Sequence, residues 1–176
     1  TAANGLGGGD ITFNAFGRII VRGVDGTVID QGGTMNFTAG ALGEFSVDNI
    51  GLLAADFVIN QNGQVNIGSG GTGATARFNL ADVASTLNIT GDVMLGGASS
   101  ISVEGGDIES RVNISGVISD GGAGYALAVN DDAQSWAVTN GIVRLTGLNT
   151  FSGNVALGEG TLEFATVPDA GGPASS

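Results

Sequence analysis

One short motif recurs along the chain and limits what it can fold into: an apolar, polar, apolar triplet followed at once by Thr, Ser or Gly. It reads Met35-Asn36-Phe37-Thr38, Val65-Asn66-Ile67-Gly68, Leu87-Asn88-Ile89-Thr90, Val112-Asn113-Ile114-Ser115 and Val143-Arg144-Leu145-Thr146, with Ile11-Thr12-Phe13 and Leu162-Glu163-Phe164 as outer members. Alternation at period two puts the flanking apolar residues on one face of a strand and the central residue on the other. The third residues fall at positions 13, 37, 67, 89, 114, 145 and 164, so the spacings are 24, 30, 22, 25, 31 and 19. Spacings of about 20 to 30 residues suit one winding of a β-solenoid, which needs two or three strands of about five residues with corners between them. The expectation is an all-β, right-handed parallel β-helix of about seven coils, about 34 Å long at about 4.8 Å per coil. Its bore would be filled by the apolar triplet residues. Asn36, Asn66, Asn88 and Asn113 would point outward, where their amides could bond one to the next along the rod.

Turn chemistry agrees with this. The chain holds 33 glycines and only two prolines, without the triplet period of collagen. Such glycine content alone is compatible with disorder, but 42% hydrophobic and only 12% charged residues argue for a packed interior. Asp25-Gly26, Asn62-Gly63, Asn140-Gly141, Ser152-Gly153 and Glu159-Gly160 mark tight turns. Loops are expected at residues 1–9, 68–73, 96–99, 121–124 and 167–176. Residues 51–57 and 80–87 have some helical character, each too short for an independent helix. At 176 residues the chain fits one domain, residues 1–176, as a single solenoid segment. It has no apolar run near 20 residues and no signal-peptide pattern, and it reads as a mature or excised piece of something longer.

The best-marked unit is Asn140 to Phe164. Within it, Leu145 to Phe164, L-T-G-L-N-T-F-S-G-N-V-A-L-G-E-G-T-L-E-F, resembles the autotransporter-associated β-strand repeat, also called the passenger-associated transport repeat. Val112 to Asp120, V-N-I-S-G-V-I-S-D, resembles the strand that precedes that repeat. The resemblance implies a β-helical segment of a large secreted or surface-displayed bacterial protein. The chain departs from the best-known members in showing no C-terminal membrane barrel.

The charge balance excludes several functions. Seventeen acidic residues against five Arg and no Lys give a formal net charge of −12, which disfavours nucleic acid and anionic membranes. Without lysine there is no phosphate-cradling loop of the usual kind. Without histidine or cysteine there is no imidazole base, thiolate or disulfide. The carboxylates remain. Asp131-Asp132 is an adjacent pair after an apolar strand, but neighbours on a strand point to opposite faces, and a solvated turn shared with Asn130 is the expectation. Gly5 to Asp10 falls short of the calcium β-roll repeat, and Glu104, Asp107 and Glu109 could hold a cation at a corner, with a charged loop as the expectation. Tyr125 and Trp136 have the character of sugar-stacking aromatics, with Val138 on the face of Trp136 favouring a core role.

No residue is therefore assigned a catalytic, cofactor-binding or metal role, no cofactor is expected, and the chain is read as a non-enzyme. The expected function is a structural extracellular or cell-surface β-helix of a bacterial stalk, adhesin or fibre. Its expected partners are further copies of itself, surface glycans or proteins, with no nucleic acid and no membrane insertion. One alternative is a carbohydrate-active β-helix, hydrolase or lyase, which would need convergence among Asp131, Asp132, Asp107, Glu104 and Arg111. The other is a phage fibre or surface-layer fragment.

Overall fold

The computed structural model describes residues 8–23, 28–49, 57–80, 85–104, 110–131 and 141–164. The chain winds through rungs of three strands. The first rung is β1 (Ile11–Phe13), β2 (Arg18–Gly23) and β3 (Val28–Gln31), and the second is β4 (Met35–Phe37), β5 (Leu42–Asn49) and β6 (Phe57–Gln61). The third is β7 (Val65–Gly71), β8 (Thr75–Asn79) and β9 (Ser85–Ile89), and the fourth β10 (Val93–Gly97), β11 (Ser99–Glu104) and β12 (Arg111–Ile114). The fifth is β13 (Ile118–Ser119), β14 (Leu127–Val129) and β15 (Ile142–Leu145), and the sixth holds β16 (Val155–Leu157) and β17 (Thr161–Phe164).

Every strand pairs in parallel with its counterpart one rung away. The first sheet runs β1-β4-β7-β10-β13, the second β2-β5-β8-β11-β14-β16, and the third β3-β6-β9-β12-β15-β17. No helix occurs among the described residues. The fold is an all-β parallel β-solenoid with three parallel sheets.

The coil count differs from expectation, for an identifiable reason. Two sheets are six strands deep and the third is five, so the described residues form six rungs at most, not seven. The triplets do not form one column. Phe13, Phe37 and Ile67 stack in the first sheet, whereas Ile89, Ile114, Leu145 and Phe164 stack in the third. The 22-residue step from Ile67 to Ile89 stays within one rung, so that rung holds two of the seven triplets. The third-sheet column begins earlier, with Ile29-Asp30-Gln31 and Ile59-Asn60-Gln61, where a glutamine occupies the inward position.

The interior is apolar at most levels. Phe13 and Phe37 stack with centroids 4.6 Å apart and planes 5° from parallel, and Phe37 meets Phe78 edge-on at 6.1 Å. Burying one such ring contributes about 2 kcal/mol. Gly43 leaves the space these rings fill, since a Cβ there would collide with both Phe13 and Phe37. Above them Phe45, Phe78 and Val103 share a register position in the second sheet, and Leu87, Val112 and Val143 share one in the third. All of these are buried.

One corner is a column of glycines. A Cβ on Gly33, Gly63, Gly91, Gly116 or Gly147 would strike the carbonyl of the glycine one rung earlier, beginning with Gly9. The rungs stack there only because no side chain intervenes. The inward glutamines fasten to the same column. Gln31 Nε2 donates to the Gly9 carbonyl at 2.6 Å, and Gln61 Nε2 to the carbonyls of Gly33 and Gly63 at 2.8 and 3.0 Å.

Several local expectations change. Residues 68–71 and 96–97 are strand rather than loop, because β7 and β10 extend to Gly71 and Gly97. Leu80 follows the end of β8 and Ser85–Ile89 is a strand, so no helical turn forms over those described positions. Residues 121–124 do form a turn.

Candidate functional site

Parallel in-register stacking turns each outward strand position into a column along the rod, so the surface chemistry is decided column by column. The third sheet carries Asp30, Asn60, Asn88, Asn113, Arg144 and Glu163 in a single register line. Its amides bond in sequence. Asn60 Nδ2 donates to Asp30 Oδ1 at 2.8 Å, Asn88 Nδ2 to Asn60 Oδ1 at 3.0 Å, and Asn113 Nδ2 to Asn88 Oδ1 at 3.0 Å. The column closes with Arg144 Nε 3.7 Å from Glu163 Oε2. The first sheet has a shorter ladder in which Gln64 Nε2 donates to Asn66 Oδ1 at 2.7 Å and Asn66 Nδ2 to Asn36 Oδ1 at 2.8 Å. The four expected asparagines thus fall into two ladders on different faces.

The second sheet is ionic where the others are amide. Arg18, Glu44 and Arg77 follow one another in register. Arg18 Nε lies 2.8 Å from Glu44 Oε1, and Arg77 Nη1 lies 4.0 Å from Glu44 Oε2 and 3.1 Å from Glu104 Oε1. Arg77 and Glu104 are both buried, where unlike charges offset each other's desolvation. The sequence gives little warning of this pairing, since Arg18, Glu44, Arg77 and Glu104 stand 26 to 33 residues apart.

The expected carboxylate sites come out differently. Glu104 is engaged by Arg77 and is not part of a solvated acidic loop. Asp131 is exposed, but Asn130 beside it is buried, which corrects the shared solvated turn. Asn130 holds two rungs together: its Oδ1 accepts the Val103 N–H at 2.9 Å and its Nδ2 donates to the Gly141 carbonyl at 2.9 Å. Asp107, Glu109, Asp132, Trp136, Val138 and residues 5–7 lie outside the described residues. Tyr125 is half-buried against the core. No group of three or more acidic residues placed to hold a metal ion occurs among the described residues.

Asp120 is the polar residue that sequence reasoning missed. Its carboxylate is buried beneath the glycine turn and accepts N–H bonds from Gly122, Gly124, Tyr125 and Ser152 at 2.9, 2.8, 3.0 and 3.2 Å. Burial works against its charge, but the backbone donors of Ser152, Gly122, Tyr125 and Gly124 prevail and hold its pKa below the ordinary carboxylate value. The signal was the sequence Asp120-Gly121-Gly122-Ala123-Gly124, an acid followed by residues able to take positive φ, as Gly121, Gly122 and Gly124 do.

No protein-family model matches this chain, and neither curated proteins nor solved structures provide a significant match.

Proposed function

We propose that this chain is a structural module of a bacterial stalk, adhesin or fibre, displayed outside the cell, with a right-handed winding and no catalytic centre. The observation that carries this reading is that polar side chains on the outer faces bond to one another from rung to rung. In the amide ladders of Asn36–Asn66 and Asp30–Asn60–Asn88–Asn113, and in the ion-paired line Arg18–Glu44–Arg77–Glu104, side chains stiffen the stack. A rod of this kind resists bending because side chains join neighbouring rungs on each of the three faces. The likeness to the autotransporter-associated repeat points to the cell surface.

The same reading includes self-association through one end. In the sixth rung the inward residues Val155, Leu157 and Phe164 are 41%, 49% and 52% exposed, while Phe13 and Ile29 of the first rung are 1% and 4% exposed. A contact between copies would use the sixth rung on both sides, tail to tail, because the inward residues of the first rung are covered and its exposed apolar residues, Phe16, Ile20 and Val28, lie outside the bore. Surface display is tested with Thr12→Cys, an exposed position in a chain that has no cysteine of its own. A membrane-impermeant maleimide should label this variant on intact cells. Labelling only after lysis would overturn the surface assignment.

A further inference from the structure

The outer face of the first sheet is shaped as well as polar. Thr12, Asn36, Asn66 and Met94 occupy one register line on β1, β4, β7 and β10, and they form the floor of a cleft of about 500 Å³. Its wall is a ridge at the end of β7, where Ser69 and Thr72 bridge in antiparallel fashion and Gly68, Gly70 and Gly71 take φ of 80°, 58° and 85°. A Cβ on Gly68 would strike the Thr72 carbonyl, so the ridge is written into the backbone. Three rung steps of about 4.8 Å give the floor a length of about 14 Å, enough for a short oligosaccharide. The volume lies within the range of small-molecule sites.

We infer that this cleft binds an uncharged oligosaccharide lying along the rod. No charged side chain lines it, in a protein of net charge −12. Anionic glycans and nucleic acids would be repelled by the surrounding field and would find no cation in the cleft. A peptide added as a strand would need an open sheet edge, but β4, β7 and β10 are each paired on both sides. What remains available is amide and hydroxyl chemistry. Asn66 spends Oδ1 on Gln64 and donates Nδ2 to Asn36 Oδ1, which leaves the Asn36 amide N–H groups without an acceptor among the described residues. The Thr12 hydroxyl and Ser69 on the ridge are exposed, and Met94, 38% exposed, supplies an apolar contact for a sugar face. Such groups match a polyol whose hydroxyls both donate and accept. Without an aromatic platform the affinity is weak, in the millimolar range.

This inference deepens the surface-module reading and relies on it only for access to glycans; maleimide labelling of intact cells tests that access separately. The test uses the full chain, neutral gluco-, manno- and galacto-hexaoses, and an oligogalacturonate as the acidic probe, followed by NMR. At least one neutral probe should give saturable shifts centred on Asn36, Asn66 and the Met94 methyl, unchanged by added salt. Ser69→Trp, which fills the cleft without touching the amide ladder, should weaken binding about tenfold or more with the melting temperature unchanged. The inference fails if no neutral probe saturates, if Ser69→Trp binds as well as the parent, or if the acidic oligomer binds as tightly as the neutral ones.

Discussion

The most exacting residue in the chain is Asn130, because it combines a positive φ of 51° with a buried amide bonded on both sides. Replacing it by Ala leaves the Val103 N–H unpaired, takes from the Gly141 carbonyl one of two donors, the Thr161 N–H remaining, and puts at a positive φ a residue that tolerates it less well than Asn. The expected loss is about 3 kcal/mol in urea denaturation; Asn130→Gly should recover the strain component only. Asp120 makes a different prediction. Because its folded pKa is lowered, its contribution is complete above the unfolded value of about 4 and is lost as pH falls through the folded value. Parent and Asp120→Asn should therefore differ in urea midpoint at pH 6 and converge as the pH falls through the lowered folded value. A constant difference across that range would rule out a charged role. Neither residue stood out in the sequence, where Asn130 sits among polar neighbours and reads as a turn. Its burial depends on the Val103 and Gly141 groups brought in from other parts of the winding.

At the scale of strands and corners, adjacent glycines differ. A Cβ on Gly33 would run into the Gly9 carbonyl, whereas one on Gly32 meets nothing. Gly33→Ala should cost about 3 kcal/mol as the rungs are pushed apart, while Gly32→Ala should be neutral or gain up to about 1 kcal/mol through a stiffer unfolded chain. Thermal melts of the two variants give the comparison directly. Period-two alternation made most strands legible in the sequence, including β4, β12 and β15. It did not reveal which face each strand joins. Three residues conceal that: Gln31 and Gln61 sit inward where the triplet pattern expects an apolar residue, and Met94 sits outward where it expects a polar one. The glutamines are tolerated inside because corner glycine carbonyls accept their amide protons.

For the whole molecule, stability accumulates rung by rung, and among the described residues the first and sixth rungs have a paired neighbour on one side only. Amide exchange should be slowest in β8, β9, β11 and β12 and fastest in β16 and β17, whose residues are largely exposed. The apolar sixth rung also makes the oligomer prediction. Sedimentation should show concentration-dependent association in the parent that Leu157→Glu removes; association unchanged by this substitution would place the contact elsewhere. The central claim is that the triplets form two columns on different faces, and engineered cysteine pairs address it against a background with no native cysteine. Asn88→Cys with Asn113→Cys, and Asn36→Cys with Asn66→Cys, join in-register neighbours about 4.8 Å apart and within disulfide reach. Asn66→Cys with Asn88→Cys joins consecutive triplets on separate sheets. Mild oxidation should close the first two pairs and leave the third reduced; closure of the third, or failure of both others, would contradict the three-sheet solenoid.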